Sequence, residues 1–160
     1  MYTEVLSQIE GVGALVGARL ANAIQDIRRF PTEAKLMAYL GVHVRDGKFP
    51  RKCRGEVANW HNEGRQAFYL LSEQWNRRQG SYWGQYLLRM KANLRQRHPD
   101  VVVENGKKRY TNGHIHKMAL WRTMTRCCRH IFRELLKLER ERVSAAEETG
   151  ENVCAKQQGQ

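Results

Sequence analysis

The chain has 160 residues, with 28 Lys and Arg against 16 Asp and Glu, a formal net charge of +12 and 41% hydrophobic residues. That length and apolar fraction suit one folded domain with or without a tail, and the cationic excess favours a polyanionic partner, nucleic acid above all. No long apolar run is present, and no basic segment leads into an apolar one at the start, so neither a membrane span nor a secretory signal is expected.

Residues 2–9 predict a short helix, and residues 14–25 a second, joined by Ile9-Glu10-Gly11-Val12-Gly13. Glycine lacks Cβ, so this link can bend sharply and approach another backbone. The second helix then presents unpaired N–H groups and its positive dipole end, the elements of a phosphate cradle. The backbone amides of Gly11, Val12, Gly13 and Ala14, with the side chain of Arg19, are the candidate phosphate ligands. The competing reading is a tight helix–helix turn that packs Val12 inward. The link resembles a helix-hairpin-helix motif, which binds DNA backbone without reading sequence.

Arg28-Arg29-Phe30-Pro31-Thr32 reads as a connector, with Thr32 an N-cap for a helix at 33–40 and Gly41 its stop. Residues 42–55 predict an irregular segment or a hairpin about Asp46-Gly47. This segment carries Arg45, Lys48, Arg51, Lys52 and Arg54, opposed only by Asp46, and is the second candidate nucleic-acid contact. A solvated charged loop is the alternative.

Residues 57–78 predict a helix with Trp60, Ala67, Leu70, Leu71 and Trp75 near one face, interrupted by Gly64. Ser81 would cap a helix over 82–97, ended by His98-Pro99. Val101–Val103, Asn105-Gly106 and Lys107–Tyr110 predict a short hairpin. A long helix is expected over 113–143, with Ile115, Met118, Trp121, Cys128, Ile131, Leu135 and Leu138 inward, and a polar, disordered tail over 144–160. Arg122, Arg126 and Arg129 form an outward stripe and are the third candidate contact, against the plain reading of a charged solvent face. The tryptophans and tyrosines among these helices read as core before they read as base-stacking platforms.

Cysteines 53, 127, 128 and 154 have no metal-site spacing, and the adjacent pair on a helix does not suggest disulfides, so thiols in a reducing cytosol are expected. His114 and His116 point to different sides of a helix, so no metal and no cofactor is expected. Asp26, Asp46 and Asp100 are isolated, and no serine lies in a nucleophile setting, so no catalytic residue is assigned.

Taken in order, Ile9-Glu10-Gly11-Val12-Gly13, Arg29-Phe30, Lys35-Leu36-Met37-Ala38-Tyr39-Leu40-Gly41 and the basic segment resemble the C-terminal domain of the 110/116/902 insertion-sequence transposases, the bridge-RNA-guided DNA recombinases. The resemblance is clearest over residues 5–75. It implies binding of DNA and of a structured guide RNA, transposition or recombination, and a second copy or a full-length transposase as partner. Two departures stand out. The family's nuclease-like domain has no room here, and the serine it places after its Ala-Tyr-x-Gly motif has no counterpart, since residues 42–63 contain neither Ser nor Thr. The chain is therefore expected to be a divergent or truncated relative, inactive alone. The alternatives are a stand-alone nucleic-acid-binding accessory protein and a helical protein-interaction module.

The expected fold is mainly α: a domain over residues 1–143 that contains a helix-hairpin-helix unit followed by a basic loop or short β-hairpin and long packed helices. The expected setting is the cytoplasm at the nucleoid, with no membrane partner.

Overall fold

The computed structural model describes residues 2–45 and 47–157, with side chains as far as Ala146. It is mainly helical. Helices α1 (Tyr2–Ser7), α2 (Ala14–Ile24), α3 (Glu33–Tyr39), α4 (Asn62–Arg77), α5 (Tyr82–Arg97) and α6 (Asn112–Gln157) are joined by a 3-10 turn at Ile27–Arg29 and by a hairpin of β1 (Val102–Glu104) and β2 (Lys107–Arg109).

Side-chain caps set most helix starts. Thr32 accepts from the Lys35 amide at 3.4 Å, Asp26 from Arg28 at 2.8 Å, and Ser81 from Gly84 at 3.0 Å. His61 caps α4 by accepting from the Gly64 amide at 3.1 Å. That cap moves the start of α4 from the expected residue 57 to Asn62, and it leaves Gly64 in the first turn, where it packs on Leu40 and Ala23. Gly41 ends α3 with φ +64°. Asn105 and Gly106, at φ +50° and +72°, make the tight turn of the hairpin, and Val102 lies opposite Arg109.

The first basic segment is simpler than a hairpin. Arg45 and Lys48 exchange backbone hydrogen bonds at 3.0 and 2.8 Å around Gly47, while Asp46 lies outside the described residues. Beyond Lys48 the chain runs irregularly to α4.

Helix α6 is the spine. Ile115, Ala119, Met124, Cys127, Cys128, Ile131 and Leu135 are buried along it, against α5 through Trp83, Leu87 and Leu94 and against α3 through Leu36 and Met37. Met118, Trp121 and Leu138 are half-buried at the edges of that stripe. A second pairing sets α2 on α4, with Leu20, Ala23 and Ile24 meeting Ala67, Phe68 and Leu71. All belong to one continuous core. The helical backbone of α6 continues past the expected end at 143 to Gln157; the side chains of the expected tail beyond Ala146 lie outside the described residues.

Gly11 sits at φ +92°, and a Cβ there would meet Leu71 Cδ1 at 3.3 Å, whereas a Cβ on Gly13 would meet nothing within 4 Å. Gly11→Ala is therefore expected to cost about 2 kcal/mol from the left-handed backbone and the contact with α4. Gly13→Ala should cost under about 1 kcal/mol, the preference of an N-cap for glycine over alanine. Urea unfolding of the two variants measures the difference, and equal losses would contradict this account of the turn.

Candidate nucleic-acid interface

The turn between α1 and α2 is held from below. The Val12 amide donates to Ile9 O at 3.0 Å, and the Val12 side chain is buried at 8% exposure. The indole N–H of Trp75 donates to Glu10 O at 3.3 Å, and the Glu10 carboxylate accepts from the Tyr82 amide, the first residue of α5. Trp75 is itself buried against Trp83, with ring centroids 5.6 Å apart. One of the expected phosphate ligands is thereby corrected. The amide of Val12 is spent inside the turn, while a Cβ on Gly11 would meet Leu71 of α4.

The outer half of the turn is different. Gly13 is the N-cap of α2 and has no side chain to satisfy the first turn. Gly13 O accepts from Gly17 at 2.9 Å, but among the described residues the amides of Ala14, Leu15 and Val16 have no acceptor. Gly13, Ala14 and Leu15 are exposed, Leu15 at 63%. These are the orphan donors of a helix N-terminus, turned outward. Arg19, one turn further on, is half-buried and enters no ion pair among the described residues.

In the basic segment Arg45, Lys48, Arg51, Lys52 and Arg54 are all exposed. Among the described residues Lys48, Arg51, Lys52 and Arg54 have no carboxylate partner. Arg51 and Lys52 line a groove with His43, Pro50, Glu56 and Trp60.

The segment is anchored by Arg65, a residue that sequence reasoning passed over. Its guanidinium lies over the Trp60 ring at 4.3 Å and the Trp121 ring at 5.0 Å, and its Nη2 donates to Pro50 O at 2.8 Å. Phe49 stacks on Trp121 at 5.0 Å with the planes 13° apart. Trp60 in turn lies over Gly41, where a Cβ would meet its Cγ at 2.7 Å. Burial pulls the Arg65 pKa down from its usual value. The missed signal was Trp60 and Trp121 flanking a lone arginine in the first turn of a helix; the sequence separation of the three hid it.

The arginine stripe divides. Arg122 and Arg126 are exposed and enter no ion pair among the described residues. Arg129 does not stay free: its Nε lies 3.3 Å from Glu33 Oε1, off-line for a hydrogen bond, and Arg133 lies 3.4 Å from Glu33 Oε2. Glu33, one helix away, was not expected to take part, because no pattern within α6 reveals it. Arg126, Arg129 and His130 share a cleft of about 350 Å³ with Gln8, Glu10 and Trp83. The structure thus brings Arg126 and Arg129 to the flank of the glycine turn, while Arg51 and Lys52 of the basic segment line their own groove.

Trp75 and Trp83 are core, as their spacing suggested, and Cys127 and Cys128 are buried thiols whose pKa values burial pushes up. His114 accepts from the Tyr110 amide at 3.0 Å, at the start of α6. No helix among the described residues is long and apolar enough to cross a membrane.

Residues 3–86 match the family model described as Transposase IS116/IS110/IS902 family. The chain belongs to this transposase family. The match covers α1 to the first turn of α5, so it contains the glycine turn and the whole basic segment and leaves out the β-hairpin and α6. Membership ties the chain to transposition. No curated protein and no solved structure matches it.

Arg65→Lys keeps the charge but loses the planar stack and the fork that reaches Pro50. It is expected to cost about 1–2 kcal/mol and to release the segment after Phe49. Limited trypsin digestion should then cut at Arg51, Lys52 and Arg54 faster than in the wild type, and unchanged cutting would contradict the anchoring role.

Proposed function

We propose that this domain is a nucleic-acid-binding part of a transposition machine, gripping a phosphate backbone at the start of α2 in the manner of a helix-hairpin-helix and along the basic segment. The carrying observation is the row of first-turn amides at Ala14, Leu15 and Val16 that have no acceptor among the described residues, together with Lys48, Arg51, Lys52 and Arg54, exposed and without a carboxylate partner among the described residues. The first amides of a helix have no intrahelical acceptor, and a phosphate oxygen can take the place of water there with the helix dipole in its favour. Lys48, Arg51, Lys52 and Arg54 would neutralise phosphates and release counterions. Arg122 and Arg126 extend the positive surface; Arg129, held by Glu33, contributes least.

The contacts are to backbone, so the reading assigns affinity and placement on DNA or a structured guide RNA rather than base specificity. With no serine or threonine over residues 42–63, it assigns the domain binding rather than bond cleavage. Strand exchange would fall to a full-length transposase partner, and the site of action would be the nucleoid.

The test is a salt titration of binding to duplex DNA and to structured RNA. Proline is tolerated at the first helical position and removes one donor without breaking the helix. Ala14→Pro is expected to weaken binding roughly tenfold, the worth of a hydrogen bond to a charged group. Arg51→Ala/Lys52→Ala should reduce the slope of log affinity against log salt by about two. Wild-type slope and affinity in both variants, with folding intact, would overturn the reading.

A further inference from the structure

Beside the anchored segment lies a second cavity, of about 400 Å³, within the size range of small-ligand sites. Its floor is apolar: Val42 and Met124 are buried, and Trp121 closes one side. Asn62, Gln66 and Tyr69, at successive turns of α4, stand around it with Arg65. Among the described residues the side-chain amides of Asn62 and Gln66 and the Tyr69 hydroxyl make no hydrogen bond. Tyr69 is 58% exposed, and it has no ring partner among the described residues. Arg65 Nη1 is buried without an acceptor.

Resting on the nucleic-acid reading above, we propose that this cavity takes a single unpaired nucleobase, swung out of the strand that the basic segment holds. The chemistry of the lining selects that ligand. A carboxamide offers a donor and an acceptor side by side, which matches the polar edge of a base and has no use for an alkyl group. Tyr69 offers an open aromatic face for stacking, and such a face accepts any base. A phosphate would want several cations, and the lining has one, half-buried between two indoles and already bonded to Pro50. Through that bond Arg65, which lines the cavity, touches the residue just before Arg51 and Lys52, so a strand held by those two cations would run close to the cavity. Arg65 Nη1 gains an acceptor if a base carbonyl enters.

The probe is 2-aminopurine placed as a one-nucleotide bulge in a DNA duplex and, in a parallel arm, in an RNA duplex, each compared with the unbulged duplex. The wild-type chain is expected to bind the bulged form roughly tenfold more tightly, the worth of one stacked base, and to change the 2-aminopurine fluorescence; the arm showing both effects identifies the source of the base. Tyr69→Leu and Asn62→Ala/Gln66→Ala, all at exposed positions, should abolish the preference and the fluorescence change while leaving affinity for the unbulged duplex within about twofold. Equal affinity for bulged and unbulged duplexes, or a preference that survives both variants, overturns the proposal alone so long as unbulged duplex binding keeps its salt dependence. Absence of any binding to either duplex overturns the nucleic-acid reading together with it.

Discussion

The structure depends on one tie above others, the indole of Trp75 donating to the carbonyl of Glu10. A helix–turn–helix of six and eleven residues is too short to hold itself in water. Trp75 fixes the turn to α4, the Glu10 carboxylate fixes it to the start of α5, and the buried Trp83 braces the indole from the α5 side. These bonds engage the carbonyl and the carboxylate of Glu10, and the Val12 amide donates to Ile9 O. The outer amides, beginning at Ala14, remain because Gly13 brings no side chain to cap them. The same residues thus explain why the turn is rigid and why its outer edge is chemically open.

The basic segment is managed by a similar device. Lys48, Arg51, Lys52 and Arg54, without a carboxylate partner among the described residues, repel one another in an irregular loop and would scatter if the backbone were free. Stacking of Trp60, Arg65 and Trp121, extended by Phe49, holds the base of the loop, and the Arg65 fork binds Pro50. Both candidate contacts are therefore loops tied to helices by aromatic side chains, with their charge or amides turned out. The family match over residues 3–86 covers both loops and their anchors Trp75 and Arg65 on α4 and Trp60 just before it. Trp121 alone comes from α6, outside that match.

Much of this was legible in the sequence. Local signals carried the helices, the caps at Thr32 and Ser81, the Asn105-Gly106 turn and the family. Each is a property of a few neighbouring residues, so no knowledge of the fold was needed. What the sequence hid was long-range. The donation of Val12 to Ile9 removed a phosphate ligand, Glu33 took up Arg129, and His61 shifted the start of α4 by capping it. The Arg65 stack draws on residues 49, 60, 65 and 121, which no periodicity joins.

Hydrogen exchange of the free and DNA-bound chain tests the central claim most directly, since it reads the amides themselves. In the free protein Ala14, Leu15 and Val16 should exchange quickly, having no acceptor, while Val12 is slowed by Ile9. On adding duplex DNA the first three should become protected together with residues 48–54, and Val12 should change little. Protection confined to other surfaces, with Ala14 to Val16 still exchanging at the free rate, would contradict the account.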